Sequence, residues 1–457
     1  MSRFHPADRK TPYLLPPSLE DWLPEDHLAR FVAEALERID LSHLRNAYAG
    51  RGSTAYSPEI MLGLLVYGYA NGVFSSRRIE RATYDSVAFR YLAAGTHPDH
   101  DTLAAFRRRF LDQLSGIFLQ ILELAHEMKL LKLGTVCLDG TKIHANASRH
   151  SALSHGHIEK IEAQLKAEVA DLLAQAEKTD QSDLPDGLNL PDEIKRRQDR
   201  LAAMEAAKAK IQARAEARYQ QDKADYEEKL AKRQAREQET GKKPGGKAPT
   251  APQEGPRDSD QINLTDEDSR IMKMHGGGFE QCYNAQAAVA TGSMLVVATG
   301  LTQAGNDKQQ LAPMLETLAA LPASAGRVEQ LLADSGYCSQ ANLVACEAAG
   351  VEPFIAVARE PHHISWRDRF TDPAPLSADA PPLMKMARKL KTRAGRACYG
   401  LRKQTVEPVF GIIKSVMGFR QFLLRGLDKV KGEWALVCLA WNLKRMAALR
   451  PKSAMRA

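Results

Sequence analysis

Three acids, Asp139, Asp334 and Glu407, stand where a carboxylate could do chemistry. Asp139 and Asp334 each close a short apolar run rich in β-formers, Leu133–Leu138 and Val328–Ala333, and a glycine follows within two residues, Gly140 or Gly336. A buried strand that ends in this way delivers a carboxylate to its tip. Asp-Gly is equally a hairpin-turn signal, so both readings stand for Asp139. Glu407 is the one acid in Tyr399–Gly426, a stretch otherwise rich in Lys and Arg. Val406, Phe410, Ile413 and Met417 recur there at helical spacing. On one continuous helix Lys403 and Lys414 share a side with Glu407. Pro408 instead favours a helix that begins at Thr405 as N-cap, which takes Lys403 off that side and leaves Lys414 on it. Each acid alone also reads as an ordinary cap or ion-paired surface group. Together they form the minimal set for two divalent cations. Magnesium prefers hard oxygen ligands, and two such ions about 3.5–4 Å apart clamp the attacking and leaving oxygens of a phosphodiester.

The composition agrees with a nucleic-acid substrate. The chain has 457 residues and a formal charge of +7, distributed unevenly. Residues 383–457 hold 18 Lys or Arg against 3 Asp or Glu, whereas residues 1–132 hold 16 of each. Such a basic C-terminal region points to DNA more than to a membrane surface. The six cysteines form no CxxC pair, which fits reduced thiols in the cytoplasm. The N-terminus has no apolar stretch of signal-peptide type, and no run of about 18 apolar residues occurs, so no membrane span is expected.

Several elements must position the acids. Residues 1–132 read as an all-α domain with a helix start at Ser57-Pro58-Glu59, a turn at His97–Thr102 and a cluster Arg107-Arg108-Arg109. That cluster suits DNA or a solvated face. Residues 155–240 are charged and Ala-rich, with apolar positions at helical spacing, and read as a helical hairpin or coiled coil broken near Pro185–Pro191. Residues 241–278 read as a flexible linker. Strand character returns at Phe279–Thr291 and Met294–Thr302. Gly305-Asn306-Asp307 then caps a helix, Lys308–Leu321, before the Asp334 strand, a helix at Gln340–Ala349 and a strand at Glu352–Val357. The pattern is an α/β domain with one mixed sheet over 133–154 and 279–457.

The segments Leu138-Asp139-Gly140-Thr141-Lys142, Ala333-Asp334-Ser335-Gly336-Tyr337 and Tyr399 through Lys414 resemble the three catalytic segments of DDE transposases of bacterial insertion sequences. The similarity is to the branch with a Tyr-Arg-Glu-Lys signature on the glutamate helix. It implies a ribonuclease H-like catalytic domain with an inserted segment, and Asp139, Asp334 and Glu407 as metal-binding catalytic residues. It further implies Tyr399 and Lys414 as contacts to the DNA strand, with either Arg402 or Lys403 as the basic partner. Lys142, Arg420 and Arg425 complete the DNA-binding candidates. The implied cofactor is a pair of Mg²⁺ ions, with Mn²⁺ as substitute. Implied partners are terminal inverted repeats and target DNA, met as a homodimer at the nucleoid. A transposase would nick the element ends and transfer the 3′-hydroxyl to target DNA. A nuclease of the same fold without strand transfer, or a catalytically dead DNA-binding regulator, are the competing expectations.

Overall fold

The structure, a computed structural model, describes residues 18–48, 54–178, 189–241, 245–246, 248–274, 276–358, 367, 371–377 and 379–451. It divides into two compact units, one of residues 1–146 and 272–457, the other of residues 147–271.

The first unit is built on a mixed sheet. Its strands are β1 (Thr135–His144), β5 (Phe279–Ala290), β6 (Val296–Thr302), β7 (Gln330–Ala333) and β8 (Glu352–Ile355); β4 (Arg270–Lys273) extends one edge. The order is β4-β5-β1-β7-β8, with β6 also paired to β5. β1 runs antiparallel to β5 and parallel to β7, and β7 runs parallel to β8. The parallel half has the helix α10 (Leu311–Ala319) before β7 and α11 (Gln340–Ala348) before β8. β5 from Gln281 onward, and β1 over Val136–Leu138, are buried on both faces, hence their apolar, Ala- and Val-containing sequences.

One expectation is corrected here. β1 does not stop at Asp139-Gly140; it continues to His144, paired to β5 throughout, with Lys142 opposite Asn284 and His144 opposite Cys282. The hairpin reading is therefore excluded and Asp139 lies mid-strand. The twelve residues of β5 offer a partner beyond Gly140, and Ile143 gains full burial by continuing.

Among the described residues, seven α-helices precede the sheet: α1 (Leu28–Glu37), α2 (Ser42–Asn46), α3 (Pro58–Ala70), α4 (Ser76–Asp85), α5 (Val87–Leu92), α6 (His100–Phe110) and α7 (Leu114–Glu127). The α3 start is as the sequence suggests: Pro58 opens the helix and the Ser57 side chain accepts from Ile60 N. Almost every residue of α3 is buried, so it is a core helix and not an amphipathic one. Its partner is the long C-terminal helix Leu427–Leu449. That helix carries Trp434, Trp441 and Asn442 against the sheet. Trp434 Nε1 donates to Gln286 O at 2.9 Å, and Asn442 takes both backbone groups of Val296 at 2.8 Å. The amide side chain thus serves as a partner for the start of β6.

The helices of residues 18–132 therefore do not form a body apart from the sheet. Glu433, fully buried on the C-terminal helix, accepts from Tyr69 OH at 2.8 Å and from the backbone N–H groups of Leu423 and Leu424 at 3.0 Å. Arg107 Nη1 donates to the same Tyr69 hydroxyl at 3.1 Å. Arg109 reaches Ala47 O and lies over the Tyr48 ring. Two of the three clustered arginines are thus engaged inside the protein. His97 stacks on Tyr84 and His100 bonds Glu80, turn roles in both cases.

In the second unit, α8 (His155–Lys178) and α9 (Leu190–Thr240) pack around Ile158, Met204, Ala207 and Ile211. The strand β3 (Gln261–Asn263) pairs with β2 (Ala152–Ser154) and adds Ile262 to that core. Residues 241–278 are accordingly not linker throughout, because Ile262 supplies apolar surface to a packed core and Arg218 pairs with Asp260 at 2.8 Å. Most of the expected break at Pro185–Pro191, and Lys242-Lys243-Pro244, lie outside the described residues.

Tyr69→Phe removes one of three donors to a buried carboxylate. It is expected to lower unfolding free energy by about 1–3 kcal/mol in urea denaturation. An unchanged denaturation midpoint would show that Glu433 does not depend on this bond.

Candidate active site

The parallel pairing of β1 and β7 ends at Leu138 opposite Ala333. The next residue on each strand is an acid, so Asp139 and Asp334 emerge side by side at the carboxyl end of β7. Ligand sites of α/β sheets form at this edge. Asp334 accepts from Gly336 N at 2.8 Å, which fixes its carboxylate over the turn that follows.

The stretch carrying the third acid is broken into short pieces, as Pro408 demands. A helix at Arg393–Gly400 passes into a 3-10 turn, Leu401–Gln404, and a new helix, Val406–Gly411, begins before a π-helical turn at Ile412–Val416. Thr405 stands before the new helix, but its hydroxyl donates backward to Leu401 O and does not cap it. The break separates two neighbouring cations. Lys403 is exposed. Arg402 turns inward, with Nη2 2.7 Å from Asp139 Oδ2 and Nη1 3.0 Å from Glu407 Oε1. The basic residue facing the acids is therefore Arg402. The helical-face argument for Lys403 fails, because the chain is not one helix there.

Burial gives this bridge its character. Arg402 and Asp139 side chains are only 12% and 14% exposed, whereas Glu407 is half exposed. Desolvation pushes the Asp139 carboxyl up to about 6; Arg402 opposes this, and the nearby Asp334 and Asp307 add to it. For Arg402, burial pulls the pKa down, but Asp139, Tyr399, Asp334 and Glu407 outweigh it and leave it raised. One guanidinium thus lies in the field of all three sequence-predicted acids. Its Nε is buried with no hydrogen-bond partner among the described residues.

The other candidates spread outward. Lys414, on the π-helical turn, donates to Thr141 Oγ1 at 2.6 Å and to Lys142 O at 2.9 Å, and its burial lowers its pKa. Lys142 Nζ bonds Lys273 O at 2.7 Å. Arg420 and Arg425 are exposed, each with Nε on a backbone carbonyl. Tyr399 is half-buried beside Arg402.

Sequence reasoning missed Asp307. It does not cap the helix after it: α10 begins at Leu311 with Gln310 before it. Its Oδ1 accepts from Asn284 Nδ2 at 2.8 Å and Gln286 Nε2 at 2.7 Å. The signal available was the pair Asn284 and Gln286, buried polar residues two apart in an Ala-rich strand.

Two family models match the chain. One, described as Transposase domain (DUF772), matches residues 17–109, and the other, Transposase DDE domain, matches residues 249–443. The chain belongs to the DDE transposases. No curated protein and no solved structure matches it. A transposase DDE domain implies the ribonuclease H-like fold, with which the mixed sheet of this transposase agrees. Asp139 lies outside both matched stretches; the pairing of β1 with β5 and β7 carries it into the DDE domain. Transposases of this family act on DNA and generally use divalent cations. No helix among the described residues is long and apolar enough to cross a membrane.

Among the described residues no group of three His, Cys, Asp or Glu side chains is gathered closely enough to hold a metal ion. Arg402 stands between Asp139 and Glu407 and is the cation these carboxylates share. The donor chemistry nevertheless fits a hard divalent ion: the acids supply oxygen alone, and Asp139 retains a raised pKa even with Arg402 in contact.

Because the folded carboxyl of Asp139 binds its proton more tightly than the ordinary 3.8, its contribution to stability is full below that pH and is lost as pH rises through about 6. Asp139→Asn removes this slope. Urea midpoints between pH 4 and 7.5, without divalent ions, should show the variant gaining on the parent by on the order of 2–3 kcal/mol. Parallel profiles would contradict the buried, charge-crowded site.

Proposed function

We propose that this transposase cleaves phosphodiester bonds at the ends of its insertion sequence and joins the freed 3′-hydroxyl to target DNA, with Asp139, Asp334 and Glu407 as catalytic carboxylates and Mg²⁺ as the working ion. The supporting observation is the single Arg402 guanidinium that feels all three acids at the sheet edge. Divalent ions held by these carboxylates would polarise the phosphoryl oxygens and lower the pKa of the attacking water or hydroxyl.

The chain's own groups do the positioning. Asp139 and Asp334 are fixed by strand pairing and by the Gly336 N–H, while Glu407 projects half exposed from a helix whose Val406, Val409 and Phe410 are buried. Arg402 is planar and bidentate, suited to phosphate as well as to carboxylate. Its Nε, buried without a hydrogen-bond partner among the described residues, would be a third donor for a phosphate oxygen. Lys403, Arg420 and Arg425, all exposed, extend the positive surface along which a DNA backbone lies, and Lys142, Lys414 and Tyr399 line its inner side. Two copies would engage the two ends as a homodimer, with the helices of residues 18–132 reading the terminal repeat and the unit of residues 147–271 serving as an arm. These assignments rest on the charge distribution and the position of each element in the chain, and the enzyme would act on DNA in the bacterial cytoplasm.

The test uses full-length protein, DNA that carries the inverted repeats flanking its reading frame, and a target plasmid. Asp139→Asn and Glu407→Gln should each reduce end cleavage with Mg²⁺ to background while DNA binding persists. Pre-cut ends should be joined to the plasmid by the parent protein. Cleavage without joining would favour a nuclease, and full cleavage by either variant would remove these acids from catalysis. Arg402→Lys keeps the charge but loses the fork, and cleavage should fall about tenfold or more.

A further inference from the structure

Asp307 is the acid at this edge that the three-carboxylate reading leaves unused. It follows β6 in a turn and points back at the sheet. Asn284 and Gln286 both donate to its Oδ1, which leaves Oδ2 without a hydrogen-bond partner among the described residues. Gln286 is itself held: its Oε1 accepts from the buried Tyr337 hydroxyl and its backbone oxygen from Trp434. Tyr337 lies three residues beyond Asp334, so one chain of bonds ties the Asp334 turn to the orientation of Asp307.

Two glycines make the approach possible. A side chain at Gly140, next to Asp139, would collide with Gln286 Nε2 and meet Asp307 Oδ1 at 2.5 Å. A side chain at Gly336 would lie 2.9 Å from Asp334 Oδ1 and 3.5 Å from Asp307 Oδ2. The free Oδ2 and an Asp334 carboxylate oxygen therefore both border the space that Gly336 leaves without a side chain. Packing two carboxylates this way gains nothing for the fold, since like charges repel. Two buried amides and a buried tyrosine nonetheless hold the arrangement, which suits a group set in advance for a cation.

We infer that Asp307 is a fourth carboxylate of the metal centre, presenting Oδ2 to a divalent ion shared with Asp334, and that Gln286 and Tyr337 position it. The inference rests on the proposed catalytic role of Asp139, Asp334 and Glu407. It adds a ligand that is neither a strand-end aspartate nor the helix glutamate, and it gives a purpose to the absence of side chains at Gly140 and Gly336.

Asp307→Asn is the variant of choice because its Oδ1 still accepts from both amides, while an NH₂ group replaces the charged Oδ2. Mn²⁺ binding to the full-length, DNA-free protein is followed by electron paramagnetic resonance, with Asp139→Asn in parallel. Asp307→Asn is expected to bind Mn²⁺ about tenfold more weakly than the parent. Asp307→Cys, a second variant, should trade Mn²⁺ for the thiophilic Cd²⁺, which a residue acting only on the fold would not do. Parent-like Mn²⁺ affinity in Asp307→Asn, with affinity lost in Asp139→Asn, would overturn the inference and leave the three-carboxylate reading intact. Parent-like affinity in both variants, with full cleavage by Asp139→Asn, would overturn that reading as well.

Discussion

An ionisable side chain in the middle of a buried central strand must find charge compensation, and much of the site follows from how Asp139 finds it. The strand does not release it at a turn, because pairing with β5 continues past it to His144. Desolvation drives its pKa up, and the nearest remedy is Arg402, delivered from far along the chain by a helix that breaks where it does because of Pro408. A buried carboxylate with a single guanidinium partner is a costly arrangement for stability alone, since desolvating two charges offsets most of their attraction.

The same logic of buried charge recurs at Glu433. Among the described residues Glu433 has no cation in contact; it relies on two backbone N–H groups and the Tyr69 hydroxyl, and Arg107 reaches that hydroxyl in turn. The bonds link α3 and α6 to the C-terminal helix and to the loop before it, which leads back to the Glu407 segment. The early helices, β6 and the C-terminal helix thus share one core. The glutamate segment rests on that core, with Phe419 packed against Tyr69 and Phe74.

Position in the sheet gives each acid a different freedom. Asp139 and Asp334 are fixed by parallel strands, Asp307 by two amides of β5, and Glu407 by a short helix followed by a π-helical turn. A π turn interrupts the regular hydrogen-bond ladder and often marks a functional site. Here it lets Lys414 lie against β1 while the helix before it carries Glu407 in a half-exposed position.

Local rules made much of this legible. β-formers with terminal acids marked β1 and β7, and Ser57-Pro58 marked the start of α3. The clash of Pro408 with a continuous helix foretold the break before Glu407. The strand order was not legible, nor was the true end of β1, because a strand's length depends on its partner and β5 lies more than a hundred residues away. Nor could spacing decide between Arg402 and Lys403, since adjacent residues are separated only by the direction in which the backbone turns. Asp307 passed for a helix cap because its ligands, Asn284 and Gln286, come from another strand. The sequence by itself determined which residues carry charge and where the backbone must bend, since these are properties of single residues and near neighbours. Which charges meet was decided by the tertiary structure alone, because burial and strand register bring together groups that the chain holds far apart.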